Sequence, residues 1–303
     1  MGPGTLDDAG VVDLGNGTGL VQTVDFFPPV VDDPYFYGAI AAANALSDVY
    51  AMGGRPLSAL CLASFPKGFD DDLAREILAG GADKVREAGA VLAGGHTVEA
   101  DLQFGFAVSG TVATDAIISN AGARAGQLAY LTKPIGMGSL TTAAKFEKID
   151  AATLRPAAEQ MATLNAAAAE AMVAAGATAC TDVTGYGLAG HAANVTAASG
   201  TSLRIASADV PLFPGALELA RLGSLSGGAK RGRANLAERV RVAEGVEEAL
   251  INLLFDAETS GGLLIAIAPE RSAALEAEMK SRGVNAVRIG AFEARGDFEI
   301  EVE

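Results

Sequence analysis

The stretch "GAIAAANALSDVYAMGG", Gly38 to Gly54, decides the fold. It is rich in alanine, the strongest helix former, and predicts a helix over about Phe36 to Met52. Asn44 and Asp48 stand four residues apart, so both side chains share one face, with Ser47 beside them. A solvated helix face would carry lysine and glutamate as well, and this one carries neither. The polar stripe therefore reads as buried and aimed at a ligand. Gly53 and Gly54 supply an ordinary C-terminal stop and take a structural role.

Working outward, "GLVQTVDFF" precedes this helix and "LSALCLASF" follows it, both reading as strands. Further short apolar runs, "GVVDL", "AVLAGG" and "LQFGFAVSGTV", and a second helix from Asp71 to Glu87 closed by Gly89, complete an α/β half. The polar, small-residue stretch "ATDAIISNAGARAG" offers a boundary near Ala113, dividing residues 1–112 from residues 113–303. Beyond it, "LAYLTKP" and "GLLIAIA" read as strands among helices such as Arg155 to Ala175, Gly187 to Ser199 and Glu244 to Phe255. The expected class is α/β throughout, in two domains.

Composition narrows the partners. Half of the 303 residues are hydrophobic, enough for a large core, and the net charge of −15 would repel a nucleic-acid backbone. An acidic protein that handles phosphates needs metal ions to mediate. Cys61 and Cys180 lie in separate apolar segments and read as buried free thiols in a reducing compartment. No apolar run reaches the roughly 18 residues of a membrane span, and the opening residues carry neither a basic region nor an apolar signal core. The expectation is a cytoplasmic protein with no membrane and no nucleic-acid partner. With two histidines and two cysteines, none adjacent, a metal here is expected to be held by oxygen.

The candidate ligands are carboxylates placed where a solvated surface does not need them. Asp7 and Asp8 stand together before a strand, where a turn explains them equally well. Asp25 ends a hydrophobic strand between Val24 and Phe26, open to a structural ion pair or a bound cation. Asp48 shares its helix face with Asn44. Asp182 in "TDVTGYGLAGH" follows a short apolar run and precedes a helix whose N-terminus Thr184 is placed to cap, or to present to an anion. Converging acids with asparagine and threonine around them would select hard cations, and their excess suggests more than one Mg²⁺ on a polyphosphate. The glycine-rich segments "LAGGHTVEA", "TKPIGMGS" and "DAETSGG" read as turns that let backbone approach a phosphate, although none has the P-loop or dinucleotide spacing. His96 is a candidate substrate contact, whereas His191 reads as a satisfied structural histidine.

"DDAGVVDL", "TVDFF", "AAANALSDVYAMGGRP", "LAGGHTVEA", "FGFAVSGTV", "LTKPIGMGSLTTA", "TDVTGYGLAGH" and "DAETSGGLL" follow one another in the order of the signature segments of the selenophosphate synthetase family. The chain resembles that family from Asp7 to beyond Gly262, within a superfamily that includes aminoimidazole ribonucleotide synthetase and thiamine monophosphate kinase. The resemblance implies two α/β domains, with N-terminal domains pairing in a homodimer so that their sheets form a shared barrel. It implies an enzyme, a selenide, water dikinase, that converts ATP, hydrogen selenide and water to selenophosphate, AMP and orthophosphate. Asp8, Asp25, Asp48 and Asp182 match the family's magnesium aspartates. Asp7, Asp25, Asn44, Gly94, Gly95, His96, Thr97 and Thr184 are carried over as the nucleotide-binding set.

Family members also carry a glycine-rich loop upstream of the "DDA" segment, with a cysteine or selenocysteine followed three residues later by a lysine. This sequence begins six residues before Asp7, so the resemblance leaves the catalytic residues unassigned. Two other expectations stand beside the synthetase: a catalytically silent Mg·ATP-binding dimer, and a related ATP-dependent kinase with another acceptor.

Overall fold

Alternation along the first strands builds a sheet with one buried and one exposed face. The computed structural model describes residues 6–303, so part of the stretch read as lacking a leader lies outside the described residues. Strands β1 (Gly10–Asp13), β2 (Thr18–Phe27), β3 (Arg55–Phe65), β4 (Val91–Glu99) and β5 (Gln103–Ala113) form a five-stranded sheet in the order β1-β2-β5-β3-β4. The β3–β4 pair is parallel and the others antiparallel. Along β2, Val21, Thr23 and Asp25 point inward, while Val24 and Phe26 are each 54% exposed on the outer face.

Two helices cover the inner face. In α1 (Pro34–Ala51), Asp33 caps the N-terminus by accepting from the Phe36 N–H at 2.9 Å, and every residue from Tyr37 to Ala51 is buried. In α2 (Asp71–Glu87), acids in the first turn and Lys84 and Arg86 in the last complement the helix dipole. The helices touch backbone to backbone: a Cβ on Gly38 would lie 1.8 Å from the Ile77 carbonyl oxygen, and one on Gly80 2.0 Å from that of Tyr35. Only glycine fits at either position.

The second sheet has seven strands among the described residues, in the order β7-β10-β6-β11-β8-β12-β9. They are β6 (Leu128–Leu131), β7 (Ala179–Asp182), β8 (Thr201–Ile205), β9 (Val240–Val242), β10 (Leu263–Ile267), β11 (Val287–Ala294) and β12 (Ile300–Val302). Every residue of β10 is buried, as its unbroken apolar run requires. Around the sheet pack α3 (Met137–Lys145), α4 (Ala151–Met161), α5 (Ala166–Ala175), α6 (Gly187–Ser199), α7 (Ala216–Arg221), α8 (Gly227–Asn235), α9 (Glu248–Leu254) and α10 (Ser272–Ser281). The mixed α/β class stands as expected. No helix among the described residues is long and apolar enough to cross a membrane.

Three local expectations are corrected. The helix expected from Arg155 to Ala175 is two helices, interrupted around Thr163 to Asn165, because Asn165 turns its amide to Ser47 and to the Gly261 carbonyl. The helix expected from Glu244 starts only at Glu248. The turn expected at Gly94 to Thr97 is part of strand β4, paired with Leu60 to Ala63. Its glycines serve the sheet. Gly94 takes φ +130° at the register shift between Ala59 and Leu60, and a Cβ on Gly95 would lie 2.2 Å from the Cys61 carbonyl oxygen.

Candidate metal centre

The polar stripe of α1 faces the end of β7 across the seam between the two halves. Thr23 on β2 donates to the carboxylate of Asp48. Asn44 donates from Nδ2 to Asp25 Oδ2 at 2.8 Å and accepts from the Ser260 N–H at 3.1 Å. From the second half, Thr181 donates to Asp8 Oδ1 at 2.7 Å, and Asp182 emerges beside it. Ser47 bonds the Asp182 carboxylate, and Asn165 holds the Ser47 hydroxyl at 2.9 Å. Asp8, Asp25, Asp48 and Asp182, drawn from β2, α1, β7 and the approach to β1, thus lie in one cluster within electrostatic reach of one another.

The electrostatics of this cluster are unfavourable without a cation. Asp48 is 8% exposed and Asp182 2% exposed. Burial raises the Asp182 carboxyl to about 6, even though Ser47 bonds its charged form. Burial, followed by the charge of Asp182, pushes Asp8 and Asp48 well above the usual carboxylate range, and burial also raises Asp25. Among the described residues, Oδ2 of Asp8 and Oδ2 of Asp182 are sealed from solvent with no hydrogen-bond partner. Ligand atoms of Asp8, Asp182 and His191 lie within 4.8 Å of one another. At that separation two carboxylates repel by about 3 kcal/mol at an effective dielectric of about 20. Orphaned carboxylate oxygens converging in a buried site fit a hard divalent cation.

His191 is buried and neutral, its pKa lowered to about 4 by burial, with its ring nitrogens 3.4 Å from the Thr181 hydroxyl and 3.1 Å from that of Thr184. The Thr184 side chain therefore does not cap α6, which has no side-chain cap. Asp7 accepts from the Asn120 N–H at 2.9 Å, tying the residue before Asp8 to the second half. Gly94, Gly95, His96 and Thr97 stand apart from this network on the exposed edge strand, where His96 lines a small pocket with Phe26, Leu62 and Val98.

Lys133, Asn165 and Ser260 were missed as site residues. Lys133 Nζ donates to the carbonyls of Thr163 at 2.7 Å and Ser260 at 3.1 Å, and burial lowers its pKa to about 7 against the opposing pull of Asp182. Ser260 holds φ +54°, a conformation that non-glycine residues rarely adopt. Its flanking Gly261 would place a Cβ 2.1 Å from the Val183 carbonyl oxygen, so this strap is pressed against the strand that delivers Asp182. A lysine closing the apolar run "LAYLTKP" was the available signal, of the same kind that marked Asp25.

Two family models match the chain, AIR synthase related protein, N-terminal domain, over residues 6–114 and AIR synthase related protein, C-terminal domain, over residues 124–303. The selenide, water dikinase of Geobacter metallireducens is 46% identical over 292 residues, covering 96% of this chain and 85% of the relative. That of Clostridioides difficile is 42% identical over 304 residues, covering 100% of this chain and 87% of the relative. Among solved structures, the hydrogenase maturation protein HypE in complex with ATP shares the fold with a TM-score of 0.71 at 22% identity, covering 97% of this chain and 82% of that one.

Proposed function

This chain belongs to the selenide, water dikinase family, and we propose from that premise that its buried aspartates gather Mg²⁺ on the triphosphate of ATP while selenide is phosphorylated. The activity is ATP-dependent synthesis of selenophosphate, in which ATP, hydrogen selenide and water yield selenophosphate, AMP and orthophosphate. The observation that carries the metal assignment is that Asp8 and Asp182, from the two halves, bring ligand atoms within 4.8 Å of one another and each keeps a buried oxygen unpartnered among the described residues. Asp8, Asp25, Asp48 and Asp182 are the proposed ligands. Bound Mg²⁺ supplies the charge that screens an anionic nucleophile from a triphosphate and steadies the leaving phosphates.

The chain's own residues hold this arrangement. Asn44 orients Asp25, Thr23 orients Asp48, and Thr181 orients Asp8. Ser47, fixed by Asn165, lies against the Asp182 carboxylate and favours its charged form. All four acids serve as anionic oxygen donors, so none has to move a proton. We assign metal and nucleotide binding and pairing to residues 1–112 and the delivery of Asp182 to residues 113–303. Asp7, Thr184 and Gly94 to Thr97 are proposed to contact nucleotide. For Gly94 to Thr97, which lie outside the acid network, this holds in a homodimer paired through the outer face of the first sheet. The exposed Val24, Phe26, Leu60 and Val98 on that sheet support such pairing. The buried free thiols of Cys61 and Cys180 support a reducing, cytoplasmic setting.

The test is AMP release from Mg·ATP by the full-length protein under anaerobic conditions, with and without selenide. Selenide-dependent AMP supports the assignment. Nucleotide binding without any response to selenide would turn it toward another acceptor.

A further inference from the structure

A second cavity, of about 410 Å³, shares Lys133 and Asn165 with the network around the acids. Its volume suits a small metabolite or ion. The polar side chains lining it are Thr132, Lys133, Gln160, Thr163, Asn165 and Asn285, and the remaining lining residues are apolar, proline or glycine. None of its lining residues among the described ones is acidic, in a chain whose net charge is −15. Amides, hydroxyls and an amine without a carboxylate form a surface that attracts anions.

Lys133 supplies the charge. It is 5% exposed, and its Nζ donates to two carbonyls, those of Thr163 and Ser260. A protonated lysine has three N–H donors, so one remains for a ligand. The two carbonyl dipoles and the more distant Asp182 carboxylate offset the desolvation of this ammonium only in part, and an anion in the cavity would complete it. The interruption between α4 and α5 opens this hollow, because it turns the Thr163 carbonyl toward Lys133 instead of into a continuous helix.

We infer that this cavity binds a small tetrahedral oxyanion, orthophosphate, with Lys133 as its charge partner and the amides of Gln160 and Asn285 as further donors. The choice of phosphate rests on the reaction proposed above, which releases it. Lys133 holds the Ser260 carbonyl while Asn44 holds the Ser260 N–H, so the anion cavity and the acid cluster grip the same residue. A phosphate seated here is a neighbour of the site that produces it.

Inorganic phosphate is the probe, titrated calorimetrically into the full-length protein with EDTA present, where the metal-free acids repel it. Saturable binding to the wild type is expected, weakened by about tenfold or more in Gln160→Glu and Asn285→Asp, which place a like charge in the cavity. Lys133→Met should abolish it. Because Lys133 also braces Ser260, the two carboxylate variants keep the test meaningful should Lys133→Met fold poorly. Absence of saturable phosphate binding to the wild type, or equal affinity in both carboxylate variants, overturns the proposal. Selenide-dependent AMP release measured on the same proteins separates the readings: its absence with phosphate binding as expected counts against the reaction and supports the cavity.

Discussion

The backbone N–H of Ser260 donates to Oδ1 of Asn44 at 3.1 Å, a bond that spans 216 positions of the chain. It fastens a strained residue of the second half to the polar face of the first half's central helix. The other end of the Asn44 amide holds Asp25, so one side chain both joins the halves and aims a proposed metal ligand.

Asn44→Ala removes both bonds and leaves a buried N–H and a carboxylate oxygen unpaired. The expected loss is about 1–3 kcal/mol of stability by urea denaturation, together with weaker Mg·ATP binding by titration calorimetry. Asn44→Asp should cost more, because it sets a second anion against Asp25. Wild-type affinity in both variants would remove Asn44 from the site.

Asp182→Asn trades function for stability. Selenide-dependent AMP formation should fall by about a hundredfold, while the metal-free Tm rises by about 2 °C or more as buried repulsion with Asp8 and Asp48 is relieved. A lower Tm without metal would mean that the carboxylate is structural.

The raised carboxyl groups set a sign for the pH dependence. A group whose folded pKa lies above its unfolded value contributes stability at low pH and loses it as pH rises through the folded pKa. For Asp182 that value is about 6. In EDTA the Asp182 contribution to stability should therefore decline from about pH 4, near the unfolded carboxyl value, to about pH 6. Mg²⁺ should flatten the decline, and Mg²⁺ with ATP should raise the Tm more than either alone. Thermal melts across this range read both effects, and equal shifts from metal and nucleotide separately would argue against a shared site.

Phe26→Glu places a charge on the exposed face of the first sheet, where Phe26 is 54% exposed. If two copies pair there, light scattering should show the dimer shifting to monomer with the fold intact by circular dichroism. An unchanged mass would move the pairing surface elsewhere.

Much of the framework was legible because it rests on local chemistry. Alternation, alanine content and glycine stops defined α1, α2 and α6, and the absence of lysine and glutamate beside Asn44 and Asp48 marked a buried polar face before any contact was known. Acids inside apolar runs, such as Asp25 and Asp182, stood out for the same reason: an unpaired charge is costly there.

What the sequence by itself determined was the α/β class, the principal elements and a family resemblance carried by eight ordered segments. Only the tertiary structure decided which side chains meet. Nothing local distinguishes the glycines of β4, which serve a bulge and a close strand contact, from the glycines of a phosphate turn. Likewise nothing local breaks the helix expected from Arg155 to Ala175. That break comes from Asn165 finding Ser47 and Gly261 across the seam, and it leaves the Thr163 carbonyl for Lys133. Hydrogen bonds between residues 96 to 216 positions apart are settled by packing, because the desolvation that makes each polar group need a partner exists only once both halves have closed around it.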